Sequence, residues 1–407
     1  MAASRIIFHI DVNSAYLSWT AVERLKNGNK DTLDIRAIPA IIGGDISKRR
    51  GVVLAKSIPA KKYGIVTGEP VVDAFKKCPT LKSYAPDHKL YARYSQTLLS
   101  LLSEYSPNIS QYSIDECFME YVPIPGIQSP VQGARIIKDR IRDTLGFTVN
   151  IGISTNKLLA KMASDFKKPD LVHTLFPEEI QKKMWPLPVR ELFMVGRSSA
   201  ARLELLGIRT IGELACTDPA ILLAHLKSHG QMIWEYANGI ESSPIDTRSK
   251  TDAKGIGNST TISFDVTDRQ TAAYFLMELS ESVSRRLRKN HMLAGMVSVE
   301  IKYSSFETAS HQTQLLTPDN TTDAIYKTAC RLFDELWSKK PIRLLGIRTS
   351  KLSSDSMQQL SIFDYQTNEK QKKLDSALDN IRKKFGEQSV VRASQLGKAP
   401  SHISKDE

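Results

Sequence analysis

Three acidic residues interrupt two short, mostly apolar segments in the first third of the chain. Asp11 follows residues 6–10, and Asp115 and Glu116 stand directly before the apolar residues 117–119. Both segments are typical of buried strands, where a carboxylate is costly unless a positive group pairs with it. Carboxylate oxygens are the ligands that Mg²⁺ and Mn²⁺ prefer. Three acids that converge at strand ends would therefore suit a two-metal site for phosphoryl transfer.

The residues alone leave a second interpretation of these acids open. Asp11 could end an exposed strand, and Asp115 with Glu116 could form a hairpin turn. Because neighbouring side chains of a strand point to opposite faces, Asp115 and Glu116 can share a metal only if the chain bends or bulges between them.

Length, cysteine placement and charge narrow the class of protein. A chain of 407 residues exceeds one ordinary hydrophobic core, so we expect two to four domains. No apolar run approaches the roughly 18 residues of a membrane span, and the first residues do not resemble a signal peptide. The four scattered cysteines favour a reducing cytoplasm over disulfides or zinc. A net charge of +12 and a pI near 9.3 indicate a polyanionic partner, although many basic proteins bind no nucleic acid.

The first part of the chain predicts a sheet backed by helices. Its order of elements is β-α-ββ-α-β, which with early acidic strands favours a ferredoxin-like sheet. The predicted strands are 6–11, 39–43, 51–55, a 112–122 hairpin and 149–153, and the predicted helices are 14–25, 88–105, 131–145 and one from 155.

The rest of the chain predicts a helical region and a second α+β domain. Residues 189–240 predict short helices, and the polar segment 241–254 predicts a linker. A helix of unassigned function is predicted at 368–386. Between the linker and this helix, the predicted strands are 259–266, 293–304, 311–317 and 342–352, with helices at 270–290 and 321–338.

A helix–hairpin–helix motif is predicted at residues 196–214. Such motifs point the backbone N–H groups of a glycine-rich turn at a DNA phosphate without reading the base sequence. Gly196 and Arg197 would lie in this turn, where one glycine stands instead of the common two. An ordinary helical hairpin is the alternative.

Several motifs together, in order and at similar spacing, resemble the Y-family translesion DNA polymerases, which include the bacterial polymerase IV and V types. The resemblance covers roughly residues 4–365. It is carried by the Asp11 strand, Tyr112–Glu116, Gly152–Lys157 with Ala160 and Lys161, and Lys168 with Pro169.

The resemblance implies an α+β multidomain protein with a ferredoxin-like palm, small fingers, a helical helix–hairpin–helix thumb and a C-terminal α+β little finger. The palm would comprise 1–14 and 81–175, the fingers 15–80, and the thumb 176–240. A linker at 241–254 would lead to the little finger at 255–352, and a tail would follow at 353–407.

The resemblance also implies roles for residues of the palm and fingers. Asp11, Asp115 and Glu116 would be catalytic and would hold two Mg²⁺ ions, or Mn²⁺, with the carbonyl of Val12. Tyr16 falls where the family places its steric gate, an aromatic ring that excludes a 2′-OH; a core aromatic is the alternative.

Nucleotide and DNA contacts are implied for several cations. Lys61 and Lys168 match positions that contact the triphosphate, and Lys161 would support them or the DNA. Where relatives often have a tyrosine and an arginine in the fingers, this chain has Ile58 and Lys61, and Ala55 replaces a frequent hydroxyl residue. We therefore expect weaker nucleotide affinity, because lysine offers no bidentate fork.

Two further surfaces are implied towards the C-terminus. Arg285, Arg286 and Arg288 would track DNA phosphates, although a solvated helix face is an equal alternative. The pentapeptide Gln359–Leu360–Ser361–Ile362–Phe363 resembles the motif that binds the bacterial sliding clamp (beta), with a tail segment packed on its own domain as the alternative.

The sequence thus predicts a template-directed, low-fidelity DNA polymerase for translesion synthesis. We expect it to use primer–template DNA and dNTPs, to lack proofreading, and to work as a monomer in the bacterial cytoplasm away from membranes. A nucleotidyl cyclase with a similar palm and a non-catalytic DNA-binding relative are the alternatives.

Overall fold

A computed structural model describes residues 5–28, 32–45, 51–127, 129–245, 253–355, 365–386 and 389–392. The chain divides into two compact units. The first comprises Met1–Gly44 and Val52–Ser249, and the second comprises Asp45–Gly51 and Lys250–Glu407. Within the described parts of the chain, every helix is too short or too polar to cross a bilayer.

The first unit contains eight strands and eleven α-helices among its described residues. In chain order these are β1 (Ile7–Val12), α1 (Ala15–Asn27), β2 (Ala40–Gly43), β3 (Val53–Lys56), α2 (Ile58–Lys62), α3 (Val71–Lys77), β4 (Lys82–Tyr84), α4 (His88–Leu102), β5 (Ile109–Gln111), β6 (Glu116–Glu120), α5 (Pro130–Leu145), β7 (Val149–Ser154), α6 (Lys157–Asp165), β8 (Val172–Thr174), α7 (Ile180–Lys183), α8 (Arg197–Leu205), α9 (Ile211–Cys216), α10 (Pro219–Leu226) and α11 (Ser228–Ala237).

The largest sheet of this unit has the order β5-β6-β1-β7-β8. Its central strand β1 pairs antiparallel with β6 and β7, and all six residues of β1 are buried. Phe8 and Ile10 pack into a core that includes residues of α1, α4 and α5. Because successive side chains alternate between faces, His9 and Asp11 point to the opposite face, where α6 lies.

Gly152 allows α6 to pack against β7 through its backbone. A Cβ atom at position 152 would lie 1.9 Å from the carbonyl oxygen of Ala160 and 2.4 Å from the amide nitrogen of Ser164. No side chain fits in that space, so glycine is required here for the close approach. This approach brings Ser164 to His9, whose Nδ1 lies 2.8 Å from Ser164 Oγ.

A smaller sheet has the order β3-β2-β4 and packs with α2 and α3 around its own core, which includes Ile41, Val53 and Val71. Strands β2 and β3 confirm two predicted strands within a few residues. Strand β4, which is parallel to β2, was not predicted. It has only three residues, and two of them are exposed, so it shows no apolar pattern.

Short helices α8 to α11 form a helical region with a shared core that includes Leu203, Leu214 and Ile233. Gly196 is the N-cap of α8. Thr210 caps α9, and its hydroxyl accepts from the amide of Glu213 while Glu213 bonds back to the backbone of Thr210. Such a capping box fixes where the second helix of the pair begins.

The second unit repeats a β-α-β-β-α-β order, as the sequence predicts. Its elements are β9 (Gly255–Val266), α12 (Arg269–Lys289), β10 (Met292–Tyr303), β11 (Thr308–Asp319), α13 (Thr322–Leu336), β12 (Ile342–Ser354) and α14 (Tyr365–Phe385). The sheet order is β11-β10-β12-β9, all antiparallel, and α12 and α13 share its core. The predicted α+β multidomain class is thus confirmed.

Helix α14 is joined to this unit by ion pairs. Arg288 on α12 donates to Asp375 at 3.1 Å and to Asp379 at 2.7 Å. Asp375 is 2% exposed and also accepts from the backbone amide of Thr322 at 2.8 Å, at the start of α13. Helix α14 is therefore part of the second unit's packed structure.

Candidate active site

A pocket of about 600 Å³ in the first unit brings together the predicted site residues of the palm and fingers. The palm side contributes the three carboxylates, and the opposite side is formed by β3 and α2. The lining includes Asp11, Val12, Tyr16, Lys56, Lys61, Asp115, Glu116 and Lys168.

The chain bends directly before β6, which resolves the geometric difficulty posed by adjacent acids. Residues 113–115 form the bend, and the carbonyl of Asp115 accepts from the amide of Val12 at 3.1 Å. Glu116 then begins β6 opposite Asp11. Asp115 is held by Ser113, whose hydroxyl donates to its carboxylate at 2.6 Å. Both acids consequently line the same pocket although they are neighbours in sequence.

Glu116 is surrounded by basic groups from α6 and β1. Its Oε2 accepts from Lys161 Nζ at 2.7 Å and lies 3.4 Å from His9 Nε2. Burial alone would raise the pKa of Glu116, but its contacts with His9 and Lys161 outweigh burial and lower this pKa to about 2. Glu116 is therefore ionised in the folded protein.

Asp11 is paired with Lys168, and only 6% of the residue is exposed. Burial raises the pKa of Asp11, and the neighbouring ammonium of Lys168 offsets part of this rise. Lys168 is itself partly buried, and the carboxylates of Asp11 and Asp165 raise its pKa above the ordinary value. The pair therefore holds a positive charge directly against the predicted metal ligand.

Two asparagines, one half-buried and one fully buried, position the segment that carries Lys168. Asn150 on β7 donates to the carbonyls of Ser164 at 3.0 Å and Lys167 at 2.6 Å. Asn13 accepts from the amide of Asp170 at 2.9 Å. Sequence analysis missed both residues. The available signal was a fully buried polar residue, Asn150, inside the apolar strand β7.

The donor set suits a hard divalent cation in its chemistry. It consists of carboxylate oxygens with the backbone of Val12 nearby, which are the ligand types that Mg²⁺ takes. As they stand, no group of three acidic, histidine or cysteine side chains in the described ranges is close enough to hold an ion. Ammonium groups of Lys168 and Lys161 pair with Asp11 and Glu116 in this arrangement. The two carboxylates that would hold a divalent cation are thus each paired with a positive group.

Tyr16 lies on the pocket wall with its ring stacked on Tyr91. The ring centroids are 4.2 Å apart and the planes differ by 7°. His88 approaches the Tyr16 ring edge-on at 6.2 Å. Burial, and then the charge of Asp115, raises the pKa of the Tyr16 hydroxyl. Tyr16 is therefore a pocket residue with a fixed ring, next to one of the acids.

Strand β3 and helix α2 form the opposite wall. Ala55, Ile58 and Lys61 line the pocket, as does Lys56, which sequence analysis missed. Ile58 is 56% exposed, and its side chain offers only apolar contact. The departures from the family's usual fingers residues therefore lie inside the pocket itself.

Two cations predicted to bind DNA have other partners. Lys161 is 8% exposed, pairs with Glu116 and lies over the rings of Tyr112 and Phe193 at 5.2 and 5.4 Å. Arg288 is held by Asp375 and Asp379, as described above. Lys161 thus supports a pocket carboxylate and Arg288 joins α12 to α14, and the DNA contacts predicted for both residues stay predictions.

The other predicted DNA-binding residues lie on two separate surfaces. Gly196 and Arg197 are exposed at the start of α8, and a Cβ atom at Gly196 would meet nothing within 4 Å. Arg286 is exposed on α12 and donates to the carbonyl of Gly257 at 2.8 Å, and Arg285 is half-buried beside it. The pentapeptide at 359–363 lies outside the described residues.

Comparison with known proteins extends over nearly the whole chain. Models of the impB/mucB/samB family, of its C-terminal domain and of its HHH motif match residues 10–165, 253–362 and 177–208. A DNA polymerase IV of Clostridium acetobutylicum is 50% identical over 97% of this chain and 99% of its own length. DNA polymerase IV 1 of Bacillus subtilis is 34% identical over 98% of this chain and 95% of its own length.

A solved structure shows the same fold. A Y-family DNA polymerase chimera of Dbh and Dpo4 matches with a TM-score of 0.72 and 21% identity, covering 85% of this chain and 98% of that one. Together with the relatives, which match almost from end to end, this fold agrees with a palm, fingers, thumb and little finger. The chain therefore belongs to the Y family of DNA polymerases.

Proposed function

We propose that this Y-family member is a template-directed, low-fidelity DNA polymerase that adds dNTPs to a primer 3′-OH during translesion synthesis. The observation that carries the proposal is the pocket itself. It gathers three carboxylates, Tyr16 and a set of lysines around a volume suited to a nucleotide. The relatives of this chain that are named DNA polymerase IV support primer–template DNA and dNTPs as the substrates.

Each group of the pocket has a role in this proposal. Asp11, Asp115 and Glu116, with the carbonyl of Val12, would hold two Mg²⁺ ions. When bound, these ions would lower the pKa of the primer 3′-OH and stabilise the charge of the triphosphate. Lys168 and Lys61 would contact the phosphates, and Tyr16 would exclude a ribose 2′-OH.

The remaining residues hold this arrangement in place. Lys161 on α6 donates to the carboxylate of Glu116, and His9 on β1 lies beside the same oxygen atom. Asn13 and Asn150 fix the segment of Lys168. Because these partners lie on β1, on the turn after β1, on β7 and on α6, the positions of the pocket charges depend on the packing of the sheet against α6.

Outside the pocket, we propose that the turn at Gly196 and Arg197 and the α12 face with Arg285 and Arg286 contact DNA phosphates. The segment 359–363 would bind the sliding clamp. The palm, fingers, thumb, linker, little finger and tail would have the boundaries that the family resemblance implies. The protein would act as a monomer in the bacterial cytoplasm and would lack proofreading.

Primer extension tests the function directly. Purified protein, Mg²⁺ and dNTPs are incubated with a primer on an undamaged template and on the same template with an abasic site. We expect incorporation directed by the template, extension past the lesion, and no removal of a mismatched primer end. Omission of Mg²⁺ should abolish extension.

The same assay separates the alternatives. A nucleotidyl cyclase would consume nucleotide without any requirement for primer–template DNA. A non-catalytic relative would bind the DNA and extend nothing. Either result would contradict the proposal.

A further inference from the structure

In the part of the chain that the structure describes, two lysines on the β3–α2 side of the pocket form no ion pair. Of the pocket-lining lysines, Lys168 is paired with Asp11. Lys56 and Lys61, in contrast, have no carboxylate within 4.0 Å of Nζ among the residues that the structure describes. The Nζ of Lys56 donates to a neutral group, the hydroxyl of Thr67, at 3.2 Å.

This arrangement is electrostatically unfavourable as it stands. Lys56 is half-buried, and burial followed by the nearby charge of Lys61 lowers its pKa. The charge of Glu69 opposes this fall in the pKa of Lys56 but does not cancel it, and two like charges held together at a pocket are stabilised further when an anion enters. The geometry points in the same direction, because Thr67, the partner of Lys56, also lines the pocket.

Local structure fixes both lysines relative to each other. Lys56 ends β3, and the next residue, Ser57, is 2% exposed and caps α2 by accepting from the amide of Ala60 at 3.1 Å. The hydroxyl of Ser57 also donates to the carbonyl of Ile38 at 2.7 Å. The backbone carbonyl of Ser57 accepts from the amide of Lys61 at 3.0 Å. These bonds set the backbone positions of both lysines, so that the torsions of the two side chains remain free.

We propose that Lys56 is a second triphosphate-binding residue of the fingers, acting beside Lys61. This inference rests on the proposed function and adds to it a residue that the family resemblance does not assign. It also answers the expectation of weak nucleotide affinity. The apolar Ile58 and the single charge of Lys61 replace a tyrosine and an arginine, and Lys56 supplies a further donor and a further charge to the same anion.

The test uses matched lysine substitutions in the full chain. Lys56→Met and Lys61→Met remove one charge each from the pocket. Lys62→Met removes one from the exposed neighbouring position, which does not line the pocket. The dissociation constant of a non-hydrolysable dNTP is measured for the polymerase bound to primer–template DNA. We expect Lys56→Met to raise it about tenfold, equivalent to about 1.4 kcal/mol, with kcat changed less than the KM for dNTP.

Two controls make this result specific. Lys56→Arg keeps the charge and should stay close to the wild type, and Lys62→Met should leave the constant unchanged. An unaltered constant in Lys56→Met, or an equal increase in Lys62→Met, would overturn the proposal. In either case a wild-type protein that still extends primers shows that the proposed function stands without it.

A second measurement needs no variant, so it holds even if Lys56→Met folds poorly. The wild-type protein is treated with an amine-labelling reagent, with and without inorganic tripolyphosphate and Mg²⁺, and the labelled lysines are identified by mass spectrometry. We expect protection of Lys56 and Lys61 and no protection of Lys62. Labelling of Lys56 that tripolyphosphate leaves unchanged, while Lys61 is protected, would contradict the assignment.

Discussion

The ring of Tyr16 lies flat on the ring of Tyr91, with centroids 4.2 Å apart. Tyr91 belongs to α4, is fully buried, and has its hydroxyl 3.2 Å from Thr20 Oγ1 on α1. Tyr16 also lies on α1, so the packing of α1 against α4 fixes the position of its ring in the pocket wall. A ring supported in this way cannot retreat from an extra oxygen atom without disturbing the core.

Tyr16→Ala should therefore admit ribonucleotides. The substitution removes the ring that would occupy the space of a 2′-OH and leaves the three acids in place. We expect the ratio of dNTP to rNTP incorporation to fall at least about tenfold, which is about 1.4 kcal/mol of discrimination. Tyr91→Phe is the matched control, since it keeps the supporting ring and should keep the ratio. An unchanged ratio in active Tyr16→Ala would mean that the gate lies elsewhere.

Asp115→Ala and Glu116→Ala should both abolish primer extension, since each removes a proposed metal ligand. Their effects on stability should differ. Among the described residues the carboxylate of Asp115 accepts from one side chain, that of Ser113, whereas loss of Glu116 leaves Lys161 buried and without its carboxylate, which should cost about 2 kcal/mol. Urea unfolding and DNA-binding anisotropy measure the two effects separately from extension.

Glu120→Ala at the far end of β6 is the control for both variants. Its carboxylate pairs with Arg5 at 3.3 Å and does not line the pocket. It should extend primers at the wild-type rate. Extension within tenfold of the wild type by the Asp115 or Glu116 variant would rule out the metal assignment.

Gly152→Ala should destabilise the first unit and disturb the pocket together. The added methyl group would meet the carbonyl oxygen of Ala160 at 1.9 Å, so α6 must move away from β7 and carry Lys161 with it. We expect a loss of at least about 2 kcal/mol of unfolding free energy, as for overpacking in a core. Gly196→Ala, where the structure leaves open space, should lose no more than about 1 kcal/mol, because its one cost is that alanine is a poorer N-cap than glycine. Equal stability of both variants would contradict the close packing of α6.

Replacement of Leu360 and Phe363 by alanine should separate clamp binding from basal synthesis. The segment 359–363 is proposed to hold the enzyme at the primer end and so to raise its effective concentration there. We expect distributive extension without the clamp to stay unchanged, and stimulation by added clamp to disappear. Stimulation that persists in the double variant, or a clearly lower melting temperature, would show that the segment packs on its own protein.

The sequence was sufficient for much of the fold and for the acids of the site. Apolar periodicity predicts the strands and helices of the second unit to within a few residues, because each element is long enough to repeat its pattern. Asp11, Asp115 and Glu116 stand out for a similar reason: a charge inside a buried strand breaks a visible pattern. The structure places all three on one pocket, as expected.

What sequence reasoning missed depends on contacts between distant residues. The sequence predicts DNA contacts for Lys161 and Arg288 but not their acidic partners, which lie 45 and 87 residues away in the chain. The roles of Asn150 and Asn13 depend on the carbonyls of Ser164 and Lys167 and on the amide of Asp170, which approach only when α6 and the segment after it pack on β7. Charge and polarity are properties of one residue, whereas a partner is a property of the fold.

The contact between Arg288 and Asp375 has a practical consequence for anyone who shortens this protein. A truncation after β12 would delete the segment 359–363 and also remove α14. The guanidinium of Arg288 and the first amide of α13 would then lose a nearly buried carboxylate partner. The second unit of such a shortened enzyme would be less stable. Any fall in its activity would then have two causes, poorer folding and the missing peptide. Point substitutions within 359–363 keep these two causes apart.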